Sequence, residues 1–209
     1  MTRVFDDTTR RKIAELCAGF SRATTDDAAH TLKRAAVAIA LTESEEGSGT
    51  AFLLTRRSAS LRSHRAQWAL PGGRCDAGET QSQSALRELH EELGLQLSQS
   101  DVLGLLDDYP TRSGYLITPV VVWAGQRAAI VPNPAEVASV HRIALETIEH
   151  DDAFSFTSIP ESTRRVIRFR LGSGHIHAPT AALIYQFREV LAGRNTRVDE
   201  MEQPVFAWK

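Results

Sequence analysis

The 209-residue chain is short of several things, and each shortage excludes something. It has only two cysteines, Cys17 and Cys75, far apart and in no C-x-x-C pair. That spacing suggests neither a disulfide framework nor a zinc site, and a reducing compartment fits. Lysine is scarce: of 24 basic residues, three are Lys and 21 are Arg. Codon bias in a high-GC genome accounts for most such skews, although Arg is also the better fork for phosphate. The longest uninterrupted apolar run, Ala35–Leu41, is seven residues, against the ~18 a membrane span needs. The first residues hold no apolar h-region, so no secretory signal is expected. Charge of one sign is not in excess: the formal net charge is −2 and the pI about 6.4. A basic-patch nucleic-acid binder is therefore disfavoured. Neither repeats nor low-complexity segments occur. A cytoplasmic, bacterial protein with no membrane and no nucleic-acid partner is the expectation.

What is present is an ordinary globular balance, 42% hydrophobic and 24% charged. A chain this long buries roughly 70% of its unfolded surface without staples. Residues 6–22 predict an amphipathic helix, with Ile13, Leu16, Cys17 and Phe20 at i, i+3, i+4, i+7. Ala35–Leu41, Ala51–Leu54, Val102–Leu106, Tyr115–Trp123 and Val137–Leu145 read as strands, and Glu43–Gly49 as a hairpin loop. Residues 153–178 predict little beyond a short strand at Val166–Phe169. Pro179–Ala192 reads as a helix with Pro in its first turn and Gly193 at its end. The last fifteen residues read as a tail. Strands interleaved with helices predict a layered α/β or α+β domain. The expected division is 1–32 as helix and link, 33–193 as the domain proper, and 194–209 as tail.

Chemistry concentrates in residues 72–95, GGRCDAGETQSQSALRELHEELGL. Thr80 and Gln83 form a capping-box pattern that opens a helix. Ala85, Leu86, Leu89 and Leu93 give it one apolar stripe, and Gly94 suits the C′ position. On the other side Glu91 and Glu92 stand three and four residues after Glu88, so all three can converge. Three carboxylates on one turn repel each other, and a hard divalent cation relieves that repulsion. Mg²⁺ is usually shared with substrate phosphates, so a phosphate-containing substrate follows. Arg87 lies four residues before Glu91 and can orient it.

Gly73, Glu79, Arg87, Glu88, Leu89, Glu91, Glu92, Gly94 and Leu95 fill every fixed position of G-x5-E-x7-R-E-U-x-E-E-x-G-U, where U is aliphatic. Chance would place these nine residues in about one chain in ten million. The segment resembles the Nudix box. That resemblance implies an α/β/α sandwich on a mixed sheet, with the box as a loop–helix–loop. It implies hydrolysis of a nucleoside diphosphate linked to another group, with Mg²⁺ or Mn²⁺. By the same resemblance Glu88, Glu91 and Glu92 are metal ligands, with the Gly72 carbonyl as a further one. Either Glu88 or Glu92 is a candidate general base. Gly73, Glu79, Arg87 and Gly94 are structural, Glu79 and Arg87 as a salt-bridging pair. Glu136, in the NPAEV segment, is a candidate further ligand or base.

Upstream, LLTRRSASLRSHRAQWALPGG (residues 53–73) resembles the extra motif of the coenzyme A pyrophosphatase subfamily, L-L-T-x-R-[SA]-x3-R-x3-G-x3-F-P-G-G. Leu53, Leu54, Thr55, Arg57, Ser58, Arg62, Pro71, Gly72 and Gly73 match, while Ala66 replaces Gly and Leu70 replaces Phe. SGYLITPVV (113–121) and HAPTAAL (177–183) also look like that subfamily. The resemblance implies coenzyme A or an acyl derivative as substrate, and Arg56, Arg57, Arg62 and Tyr115 are the candidate substrate-binding residues. Arg56 and Arg57 point to opposite faces of a strand, so only one can face the site directly. Trp68 and Tyr115 are candidates to stack on an adenine. Homodimers are common among such relatives, and the N-terminal helix is a candidate to pack across that interface.

Overall fold

The molecule is organised around one long strand, β1 (Lys33–Glu43), in a computed structural model that describes residues 3–23, 31–45, 47–59, 66–125, 129–160 and 162–203. One edge of β1 runs parallel to β7 (Tyr115–Trp123) from Lys33↔Tyr115 to Leu41↔Trp123. The other edge is divided between two strands. Near the hairpin, Leu41, Thr42 and Glu43 pair antiparallel with β2 (Thr50–Arg57). At the opposite end, Ala35, Ala36 and Val37 pair with β4 (Gly72–Arg74). Between those points β1 and β2 separate, and β2 takes β3 (Trp68–Ala69) as its partner instead. The Leu70-Pro71 link between β3 and β4 spans the wedge, with Ala38 N–H donating to the Pro71 carbonyl at 2.8 Å. The sheet is completed by β5 (Val102–Leu105) and β6 (Tyr109–Pro110) against β7, and by β8 (Val137–Ala144) against β2.

Side-chain alternation along β1 decides what packs on each face. Ala36, Ala38 and Ala40 point to one side, and Ile39 and Leu41 to the other. The alanine side is shallow. It admits α2 (Gln81–Leu93) close to the sheet, where Ala85, Leu89 and Leu93 lie fully buried on Leu53, Val120 and Val122. A leucine at such a site contributes roughly 2–5 kcal/mol. The bulkier side meets α1 (Asp7–Gly19), α3 (Leu145–Glu149) and α4 (Thr180–Leu191). The result is an α/β/α sandwich with a mixed sheet.

The helix read as 6–22 starts with Asp6 as cap and ends at Gly19. Its apolar stripe, Ile13, Cys17 and Phe20, is buried in the same core as α4. That stripe is used within the chain, so it is not available to pack across a dimer interface. Residues 153–178 hold far more strand than the periodicity predicts. They form a second antiparallel sheet of β9 (Phe154–Ile159), β10 (Ser162–Leu171) and β11 (Gly174–His177). Its inner face, Phe154, Ile167, Phe169 and Ile176, packs into the core shared with α4. The residues after α4 are also tied down. Val198 is fully buried, Arg197 Nη1 donates to buried Asp107 at 2.8 Å, and Glu202 pairs beside Val166.

Candidate active site

Helix α2 begins where the sequence requires. Gln83 N–H donates to Thr80 Oγ1, Thr80 N–H donates back to Gln83 Oε1 at 2.9 Å, and Gly94 closes the helix at φ 70°. With the stripe Ala85–Leu89–Leu93 held on the sheet, Glu92 and Glu88 are left beside Gly72 and Gly73 of β4, while Glu91 stays half exposed.

Arg87 is the hub of this side. Its Nε donates to Glu79 Oε1 at 2.9 Å and its Nη2 to Glu79 Oε2 at 3.2 Å, a two-pronged pair. Nη1 reaches Glu88 Oε1 at 2.8 Å and Glu91 Oε2 at 3.0 Å, and Nη2 also reaches the Arg74 carbonyl. The guanidinium holds the Glu79 carboxyl below its ordinary value. It thereby fastens the β4–α2 loop to the helix, as the resemblance to the Nudix box implies.

Glu92 is different: it is 3% exposed. Burial pushes its carboxyl up to about 7, opposed by Arg57 and reinforced by the charges of Glu88 and Glu136. Gly72 N–H donates to Glu92 Oε2 at 3.3 Å, and Arg57 Nη1 lies 3.9 Å from Glu92 Oε1. Burial raises Glu88 as well, with Arg87 acting against it and Glu91 and Glu136 adding to it. The charge of Glu136, on a distant loop, thus bears on both carboxylates. Val131 N–H and Asn133 N–H donate to the Leu93 and Glu92 carbonyls, each at 2.9 Å, which hooks that loop onto the end of α2. Ser58 N–H donates to the Glu136 carbonyl at 2.8 Å, fixing the loop to the end of β2 as well.

The two glycines of β4 are demanded by different neighbours. A Cβ on Gly72 would stand 2.3 Å from the Ala36 carbonyl oxygen and 2.6 Å from Val37 Cα. A Cβ on Gly73 would stand 2.3 Å from Glu88 Oε1. Strand and carboxylate approach closely only because both positions lack a side chain.

Of the candidate substrate-binding residues, Arg57 faces the cluster. Arg56 lies on the other face, its Nε donating to the Ala66 carbonyl at 3.2 Å and its guanidinium 6.0 Å from the Trp68 ring. Trp68 packs edge-on to His141 at 4.7 Å and against the core. Tyr115 is not brought to the carboxylates: it opens β7 opposite Lys33, whereas Gly72 pairs with Val37, four residues or about 13 Å along β1. Arg62 lies outside the described residues, as do His64 and Arg65.

Residues 32–162 match the NUDIX domain family. The chain belongs to the Nudix family. An uncharacterized Nudix hydrolase NudL of Photorhabdus laumondii is 34% identical over 141 residues, covering 66% of this chain and 75% of the relative. One of the same name from Pectobacterium atrosepticum is 40% identical over 107 residues, 51% of this chain and 53% of the relative. Nudix hydrolase 3 of Caenorhabditis elegans is 37% identical over 100 residues, and the match spans 46% of this chain and 42% of that protein. Among solved structures, a Nudix hydrolase from M. smegmatis, RenU, superposes with a TM-score of 0.52 at 24% identity, covering 77% of this chain and 86% of that one. The sandwich is thus a Nudix fold.

Nudix hydrolases use divalent metal ions, and the donors here fit one. Glu88, Glu91, Glu92 and Glu136 are hard oxygen donors, and burial with neighbouring charge disfavours the ionised forms of Glu88 and Glu92, which a dication would relieve. Among the described residues no three carboxylates already enclose one point. Arg87 draws Glu88 and Glu91 to one side while Glu92 turns to Gly72. Among the described residues, no helix is long and apolar enough to cross a membrane.

Proposed function

We propose that this Nudix hydrolase cleaves the diphosphate of coenzyme A or its thioesters to 3′,5′-ADP and 4′-phosphopantetheine or its acyl form, with Mg²⁺ or Mn²⁺. One observation carries the reading: Arg57, from the upstream motif, stands beside Glu92, from the box, on one side of the sheet. The segment whose pattern resembles coenzyme A pyrophosphatases therefore contributes a cation directly to the carboxylate cluster. Residues 33–193 are the catalytic unit in this reading, with 1–32 and 194–209 as additions to it.

Glu88, Glu91, Glu92 and the Gly72 carbonyl hold the metal. When bound, that ion lowers the pKa of a coordinated water and offsets charge developing on phosphate. Either Glu88 or Glu92, instead of binding the metal, or Glu136 from its loop, is the candidate to take the proton from the attacking water. Arg57 orients a phosphate oxygen through its fork, and Arg62 is a further candidate contact with the substrate's phosphates.

The motif's two departures are compatible with this reading. Ala66, where the pattern has glycine, keeps a left-handed backbone at φ 54°. Leu70, where the pattern has phenylalanine, is buried in the core. Neither change alters a group that touches the carboxylates.

A panel of coenzyme A, acetyl-coenzyme A, ADP-ribose, NADH, diadenosine polyphosphates and nucleoside triphosphates, with products identified by mass spectrometry, tests the reading. Preferential release of 3′,5′-ADP is the expected result. A higher kcat/KM on another compound reassigns the substrate and leaves the hydrolase. No turnover on any of them would make the protein a Nudix-fold binding module.

A further inference from the structure

The second sheet turns one face to the core, and the other carries an unusual row of side chains. Ser155, Arg168 and His177 lie directly opposite one another across β9, β10 and β11, and Arg170 faces His175 in the next row. All five point away from Ile167, Phe169 and Ile176, which fill the core. Two arginines, Arg168 and Arg170, thus share this face, each opposite a histidine. Burial, with the nearby charges of Arg168 and His175, holds the His177 imidazole below its ordinary value. Two carboxylates lie near. Asp152 pairs with Arg170 at 2.5 Å. Glu202, beside Val166, is taken by Arg112 at 2.6 Å. Arg168 has no carboxylate among the described residues, and its Nε is buried with no hydrogen-bond partner.

A buried guanidinium N–H without an acceptor costs free energy. A ligand that accepts several hydrogen bonds and carries negative charge would satisfy the unmet N–H and offset the Arg168 charge. We propose that the outer face of β9–β10–β11 binds a phosphate group, with Arg168 at its centre and His177 and Ser155 on either side. Arg168 supplies charge and a fork of donors, the imidazole one N–H even when neutral, and Ser155 a hydroxyl. Neighbouring strands are about 4.8 Å apart, so one phosphate spans Arg168 and either flanking residue. This inference is independent of the coenzyme A reading, because none of its residues belongs to the carboxylate cluster.

The test is titration of the full-length, metal-free protein with inorganic phosphate, read by calorimetry and by thermal melting. We expect saturable binding that Arg168→Met weakens at least tenfold, while Arg11→Gln, on the exposed side of α1, leaves it unchanged. Without phosphate, Arg168→Met should melt no lower than wild type, since a buried, unmet guanidinium N–H is gone. His177→Gln, which keeps a donor but changes its reach, provides a second variant and should weaken binding severalfold. Absence of saturable binding to wild type overturns the proposal, as does binding that neither variant changes. Comparing adenosine 3′,5′-bisphosphate with adenosine 5′-monophosphate then identifies the source. Tighter binding of the bisphosphate that Arg168→Met abolishes points to a phosphate carried by the substrate. Equal binding of the two nucleotides, with phosphate binding still lost in Arg168→Met, points to free phosphate. Both results support the site, and neither depends on turnover.

Discussion

Arg57 Nη1 lies 3.9 Å from Glu92 Oε1, and the Nε of the same guanidinium is buried without a hydrogen-bond partner. The two residues come from elements that do not adjoin in sequence. The arrangement leaves Arg57 incompletely satisfied while it opposes the rise of the Glu92 carboxyl.

Replacing Arg57 by Met removes that opposing charge and keeps the apolar stem. The Glu92 pKa should rise further, because a nearby cation favours the ionised carboxylate. In EDTA, the pH range over which stability falls should therefore extend upward relative to wild type, read as melting temperature against pH. A melting temperature shifted equally at every pH would remove Glu92 as the group on which Arg57 acts.

Glu92 makes the metal-free protein sensitive to pH. Its folded-state pKa of about 7 lies above the ordinary 4.5. The folded state therefore holds a proton that the unfolded state has lost between those values, and stability falls as pH rises through that window. The full interval corresponds to on the order of 3 kcal/mol. In EDTA, Glu92→Gln should melt increasingly above wild type between pH 5 and 8. Parallel melting curves for the two proteins across that range would contradict this.

Gly72 and Gly73 should fail in different ways when changed to Ala. At Gly72 the new methyl meets the β1 backbone, which cannot move without opening the sheet. The expected result is a loss of several kcal/mol in denaturant unfolding, as for overpacked or strained sites. At Gly73 the methyl meets the end of the Glu88 side chain, which can swing aside. Here melting should change little while kcat falls by two or more orders of magnitude.

Ala66 adopts a left-handed conformation that costs a non-glycine residue roughly 1–2 kcal/mol. Part of that is offset by the lower chain entropy of Ala in the unfolded state. Ala66→Gly should therefore stabilise the protein by up to about 1 kcal/mol in urea. It should leave the ranking of substrates unchanged, and a reordered ranking would make Ala66 a specificity element.

Short-range chemistry made much of the site legible in the linear chain. The capping box of Thr80 and Gln83, the stripe of Ala85, Leu89 and Leu93 and the Gly94 cap all act between near neighbours in the chain, while the Glu79–Arg87 pair came only from the resemblance to the Nudix box. Helical periodicity alone determines that Glu88, Glu91 and Glu92 share a side. The strands Tyr115–Trp123 and Ala35–Leu41 were legible for a similar reason, since buried β-branched and apolar runs need no distant partner to be recognised. Tertiary structure decided the rest. The charge of Glu136 bears on Glu88 and Glu92 once Val131 and Asn133 hook their loop onto the end of α2. The register of β2 turns Arg57 rather than Arg56 toward Glu92, and a one-residue slip would exchange them. The row Ser155–Arg168–His177 exists only once three strands pair, and no periodicity in residues 153–178 announces it. Local hydrogen bonds and helix geometry are set by neighbours in the chain, whereas cross-strand register and loop docking depend on contacts between residues tens of positions apart.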